Sequence, residues 1–155
     1  MKFLLLCVTV ISACAPPTED HSINVTYDPC ETGILLDNTA SQLQLQSAQK
    51  GLELWTHLLG RESESKQESL SYVAIRFEEG STIFRGLYMD EVGEIVVNEA
   101  ITNEQALIIV IAHELGHAFG LQHVESDASV MKKGNVSVPP SLADVDRLAK
   151  LWRTR

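Results

Sequence analysis

Residues 113–123 read His-Glu-Leu-Gly-His-Ala-Phe-Gly-Leu-Gln-His, and this run constrains the chain more tightly than any other stretch. Its pattern, H-E-x-x-H-x-x-G-x-x-H, is expected by chance in roughly one chain per hundred thousand of this length, so it carries chemical meaning. On an α-helix, residues four apart lie one above the other, so His113 and His117 can aim their imidazoles at one point. Neutral imidazoles at about 2.0–2.1 Å are good zinc ligands. Glu114 falls beside such a metal without needing to bind it, placed to hold a water and take its proton. Gly120 lets the chain leave the helix through a left-handed conformation, after which His123 can turn back as a third ligand. Three protein ligands leave a fourth position open, the arrangement of a catalytic rather than a closed structural site.

The competing reading is a surface helix whose histidines are merely polar. Ala106 to Ala112 is an unbroken apolar run leading into His113, which predicts a largely buried helix. Burying three histidines and a glutamate without a metal or partners would cost several kcal/mol.

The elongated motif resembles that of the metzincin clan of zinc endopeptidases, and Ser129-Val130-Met131 supplies the methionine turn of that clan. Within it, the chain is most similar to the matrixins, the matrix-metalloproteinase type. The resemblance implies an α+β, zincin-like fold: a small twisted mixed sheet, a long backing helix, an active-site zinc helix and a C-terminal helix. It implies an endopeptidase in which a zinc-bound water, assisted by Glu114, attacks the peptide bonds of extended polypeptides. Met131 would form an apolar floor beneath the metal, and Gly86-Leu87-Tyr88-Met89 the edge strand that pairs with substrate. Asp144 would anchor the methionine turn; an ordinary first-turn carboxylate is the alternative.

Departures from the family pattern shape the expectations further. Asp90 to Gly93 is too short to replace the family's loop of structural zinc and calcium ligands and lacks histidine, so one catalytic zinc is expected, with no structural zinc and no calcium. Ala143 stands where the first of two adjacent aspartates is usual, and Lys132-Lys133 where Tyr-Pro follows the methionine. The substrate-pocket wall around Lys132 to Pro140 is therefore unassigned.

Periodicity gives a coarse map. Ile23 to Tyr27 alternates like a first strand. Thr39 to Leu59 reads as a helix with Leu45, Ala48, Leu52, Trp55 and Leu59 inward and Asp37, Asn38 or Thr39 as cap. Arg61 to Ser69 reads as a polar loop. Tyr72 to Phe77 is a strand, and Arg85 to Met89 and Glu94 to Asn98 are two strands around a hairpin-like turn. Asn103 to Phe119 is the zinc-bearing helix with Thr102 as cap. Ser141 to Trp152 is the last helix, with Leu142, Val145, Leu148 and Leu151 or Trp152 inward.

Met1 to Ile11 carries a lysine followed by a short apolar stretch, the mark of a signal peptide. Ile11-Ser12-Ala13-Cys14 resembles a bacterial lipobox, which implies cleavage before Cys14 and lipidation of its sulfur. The expected organisation is a signal peptide over 1–13, a lipidated tether over 14–22 and one peptidase domain over 23–155. The protein would be exported and lipid-anchored to a bacterial membrane, at the outer membrane or cell surface. Loss of Cys7 and lipidation of Cys14 leave Cys30 alone, so no disulfide is expected within the mature chain. Cys30 reads as a small buried residue, with a zinc-ligating latency switch as the alternative. His21 and His57 read as incidental. Twelve basic against 21 acidic residues give a net charge of −9; that sign disfavours nucleic acid and anionic headgroups, and reads by default as a solvated acidic surface, with attraction of basic peptides as the alternative. The expected partners are a polypeptide substrate and, through the lipid, a membrane, with the protein a monomer. Two other readings share the motif: a hydrolase of cell-wall peptides, and a latent or non-catalytic zinc-binding lipoprotein.

Overall fold

The computed structural model describes residues 26–60, 71–81 and 84–153. Among these, the elements run β1 (Thr32–Leu36), α1 (Gln42–Leu58), β2 (Ser71–Glu78), β3 (Gly86–Met89), β4 (Glu94–Asn98), α2 (Glu104–Ala118) and α3 (Leu142–Arg153). The fold is α+β, with a four-stranded mixed sheet in the order β1-β2-β4-β3. β1 and β4 flank β2 in parallel, and β3 closes one side as an antiparallel edge strand, with Tyr88 opposite Ile95. In β2 the buried Val73 and Ile75 alternate with more open residues, the period of a half-buried strand. In β4, Ile95, Val96, Val97 and Asn98 are all buried, as suits a strand with neighbours on both sides.

α2 is apolar almost all round because it lies between the sheet and α1. Trp55 on α1 donates through Nε1 to the Ala112 carbonyl at 2.8 Å and meets Phe119 edge-to-face. Trp152 on α3 donates to the Phe119 carbonyl at 3.0 Å. The two indoles thus bury large apolar surfaces without orphaning their N–H groups, and fix both flanking helices to the end of α2.

Several expectations need correction. Thr26 and Tyr27 are not in a strand; the rest of the expected strand, Ile23 to Val25, lies outside the described residues, as do the loop Arg61 to Ser69 and the signal and tether. Tyr27 instead joins two distant turns, its N–H donating to Ala118 O at 2.8 Å and its hydroxyl to Gly93 O at 2.7 Å. The first strand is Thr32–Leu36, after a turn in which Asp28 Oδ1 accepts from Cys30 N.

α1 begins three residues later than expected, at Gln42, because Asp37 spends its carboxylate on Thr39 N, closing a local turn. Ser41 and Gln44 then form a reciprocal capping box. The inward face includes Ser47 and Gly51, which turns Leu45 outward at 47% exposure. Asn103, not Thr102, caps α2. Leu142 is 70% exposed: Asp144 takes the inward position of that turn and rotates the leucine to solvent, while Leu148, Ala149 and Trp152 point in. Cys30 is partly exposed and disulfide-bonded. The expectation of a lone thiol counted only the cysteines left after cleavage; the whole chain holds Cys7, Cys14 and Cys30. A sulfur in a disulfide has no thiolate to offer a metal, so this form of the chain has no Cys30 switch.

Candidate metal centre

α2 ends in a Schellman turn. Leu121 N bonds Gly116 O at 2.9 Å, Gly120 N bonds His117 O at 2.8 Å, and Gly120 sits at φ +101°, where a side chain would be strained. The chain reverses there and brings His123 over His113 and His117. The Nε2 atoms of His113 and His117 lie 3.1 and 3.2 Å from that of His123. Two nitrogens bound to one tetrahedral zinc at its usual bond length are about 3.3 Å apart, so the spacing fits.

Ring orientation fits as well. His113 Nδ1 donates to Val130 O at 2.6 Å and His117 Nδ1 to Leu121 O at 2.7 Å. Each bond commits the proton to Nδ1 and leaves Nε2 with a lone pair facing the shared point. Burial holds all the rings neutral. It lowers His113, against an opposing pull from the Val130 carbonyl, and lowers His117 to about 4 against the Leu121 carbonyl. His123 is lowered by burial and by the nearby Lys133 ammonium. Neutral imidazole is the form that ligates metal, and this trio can hold a metal ion.

Glu114 faces the opposite wall. It is 6% exposed, and burial raises its carboxyl to about 7, opposed by a hydrogen bond from the Tyr88 backbone. The carboxylate occupies space that β3 leaves open at Gly86: a Cβ there would lie 2.8 Å from Glu114 Oε1 and 2.9 Å from Cγ. Asn98 N donates to Arg85 O at 2.9 Å, so by alternation Gly86 and Tyr88 turn their backbone groups away from β4, and the Tyr88 N–H meets the Glu114 carboxylate. Edge strand, carboxylate and histidines line one cleft of about 580 Å³.

Met131 is fully buried, with its sulfur packed against Gly116, the residue before His117. The segment carrying it is held by Asp144, also fully buried. Asp144 accepts from Ser129 Oγ at 2.5 Å and from Ser141 N at 2.9 Å, and pairs with Arg147. Ser129 Oγ in turn accepts from Met131 N at 3.0 Å.

A model of the matrixin family matches residues 53–147, more than half of the chain. The chain belongs to the matrixin family. No curated protein matches it. This matrixin therefore carries a zinc metallopeptidase-type domain whose clustered histidines suit the metal the family implies.

The structure brings His113, Glu114, His117, Gly120, His123 and Gly86–Tyr88 to one cleft, leaves Met89 out of its lining, packs Met131 against Gly116, and connects Asp144 to Met131 through Ser129. Cys14 lies outside the described residues. Sequence reasoning missed Asn135, whose side chain donates to Val130 O at 3.2 Å, the same carbonyl that orients His113. It missed Arg147 and Gly116 too. The motif gave no signal for these residues, because they act on the ligands through tertiary contacts.

Proposed function

We propose that this matrixin is a zinc endopeptidase acting on extended polypeptides, with His113, His117 and His123 holding a single catalytic zinc and Glu114 as the proton carrier. The observation that carries this reading is the buried Glu114 carboxylate set between three converging imidazole Nε2 atoms and an open strand edge. Bound zinc supplies Lewis-acid polarisation of the scissile carbonyl and acidifies water beside it. The outward-facing backbone of Gly86 would pair with an antiparallel substrate strand and so orient the scissile bond, while the Tyr88 N–H holds the Glu114 carboxylate. Glu114 takes the proton of the attacking water and delivers it to the departing amine nitrogen; a group that titrates near the working pH suits both transfers. Met131 excludes water from below the histidines, and Asp144 keeps that floor in place.

Residues 14–22 complete the proposal as a lipidated tether on an exported chain, with neither structural zinc nor calcium. The test compares the full-length protein with Glu114→Ala and His117→Ala on a mixed peptide library, with metal analysis of each. Glu114→Ala should keep one zinc per chain and lose turnover by a factor of about 10³ or more. His117→Ala should lose both. Unaltered cleavage in Glu114→Ala, or full zinc in His117→Ala, would refute the assigned roles.

A further inference from the structure

The chain is strongly acidic, yet two cations line the cleft: Arg85, directly before β3, and Lys133, beside His123. Other cations nearby are spoken for. Arg76 pairs with Glu78 and Glu94, Arg147 with Asp144, and Lys132 with Asp127. Among the described residues, Arg85 and Lys133 form no ion pair. Lys50, far from the cleft, is also neutralised, by Glu104.

Arg85 gives the cleft's charge a direction, and Lys133 adds a second cation beside His123. Glu114 marks the reacting centre, opposite Gly86 and Tyr88. Arg85 lies just N-terminal of that point along β3, and Asp90 lies beyond its C-terminal end, also on the cleft. A substrate antiparallel to β3 runs the other way, so the residues after the scissile bond approach Arg85 and those before it approach Asp90.

From this arrangement we propose that the cleft selects substrates carrying a carboxylate on the C-terminal side of the scissile bond. That carboxylate is borne either by an Asp or Glu side chain or by the chain terminus. The proposal rests on the peptidase reading for its geometry, and it runs against the alternative reading of the net charge, attraction of basic peptides. Net charge sets the distant field, whereas contacts inside the cleft set which bound residue is favoured.

The test measures binding separately from turnover. Full-length, zinc-loaded Glu114→Gln is titrated with a peptide series in which Glu replaces Gln at one position at a time, each made with a free or an amidated C-terminus. Glu in the C-terminal half should tighten Kd by roughly three- to tenfold, less at high salt. An equal gain from the free terminus alone would assign the site to a terminal carboxylate; a gain only from Glu would assign it to a side chain. Arg85→Glu and Lys133→Glu should abolish or reverse the preference, with Arg85→Gln and Lys133→Gln as milder variants and zinc content as the check on folding. Binding indifferent to both carboxylates, or a preference that survives all four substitutions, would overturn the proposal. Cleavage of the same peptides by the parent tests the peptidase reading separately: a bound, charge-selected but uncleaved peptide would count against that reading alone.

Discussion

At the scale of single residues, the site sets neutral imidazoles beside a carboxyl whose charge is opposed by burial. In the metal-free chain the two kinds of group pull stability in opposite directions with pH. His117 resists protonation down to about 4 when folded, whereas an unfolded histidine takes its proton near 6.5, so this contribution is lost as pH falls through that window. Glu114 is the reverse. Its folded carboxyl titrates at about 7 against 4.5 when unfolded, so its contribution is complete below 4.5 and is lost as pH rises through 7. Glu114→Gln keeps an acceptor for the Tyr88 N–H and removes the buried charge. Metal-free Glu114→Gln should therefore melt higher than the metal-free parent at pH 8, and the gap should close below pH 4.5. Thermal melts across that range check this; a parent more stable at pH 8 would contradict it. Asn135 is the second residue-scale case. Losing its bond to the Val130 carbonyl should loosen His113, so Asn135→Ala should weaken zinc affinity by roughly tenfold in chelator competition. The ligands themselves were legible because their spacing is a property of one helix and one turn. Asn135 was not, since only folding places it beside a carbonyl five residues upstream.

At the scale of elements, α2 carries the chemistry and α3 holds its floor. Asp144 belongs to the first turn of α3 but spends its acceptors on Ser129 and Ser141, with Arg147 as counter-ion. Asp144→Ala removes these acceptors and strands the guanidinium, whose Nε is already unpartnered. It should cost on the order of 3 kcal/mol in denaturant unfolding and weaken zinc retention through Met131 and Val130. A loss of stability with zinc affinity intact would show that the clamp does not reach the metal. The same residue sets how α3 is rotated about its axis. Apolar periodicity places Leu142 inward, but a buried aspartate bonded to Ser129, Val130, Ser141 and Arg147 sets the phase of the helix. Similarly, Ser41 outcompeted three upstream caps because Gln44 stands where a capping box needs it. The existence and order of most elements followed from hydrophobic period. β1 did not, because five residues containing Gly33 and an exposed Leu35 show no clean alternation.

At the scale of the whole molecule, the disulfide at Cys30 and the proposed lipid at Cys14 compete for the same small set of sulfurs. The chain has three cysteines. Cleavage before Cys14 would remove Cys7, and a thioether at Cys14 would consume the other sulfur, leaving Cys30 as a thiol. A Cys14–Cys30 disulfide, conversely, would leave nothing for the lipid to attach to. The two states therefore differ in a countable way. If the tether reading holds, protein recovered from membranes should partition into detergent, carry acyl mass on its N-terminal peptide and react at Cys30 with a thiol reagent once denatured. Cys14→Ser should then be released from the membrane with its metal-binding capacity unchanged, because His113, His117 and His123 are set by α2 and the turn that follows it. Recovery of a Cys14–Cys30 cross-linked peptide and no acyl mass would discard the lipid anchor. It would leave the zinc centre untouched, since no cysteine belongs to the metal-capable cluster found among the described residues.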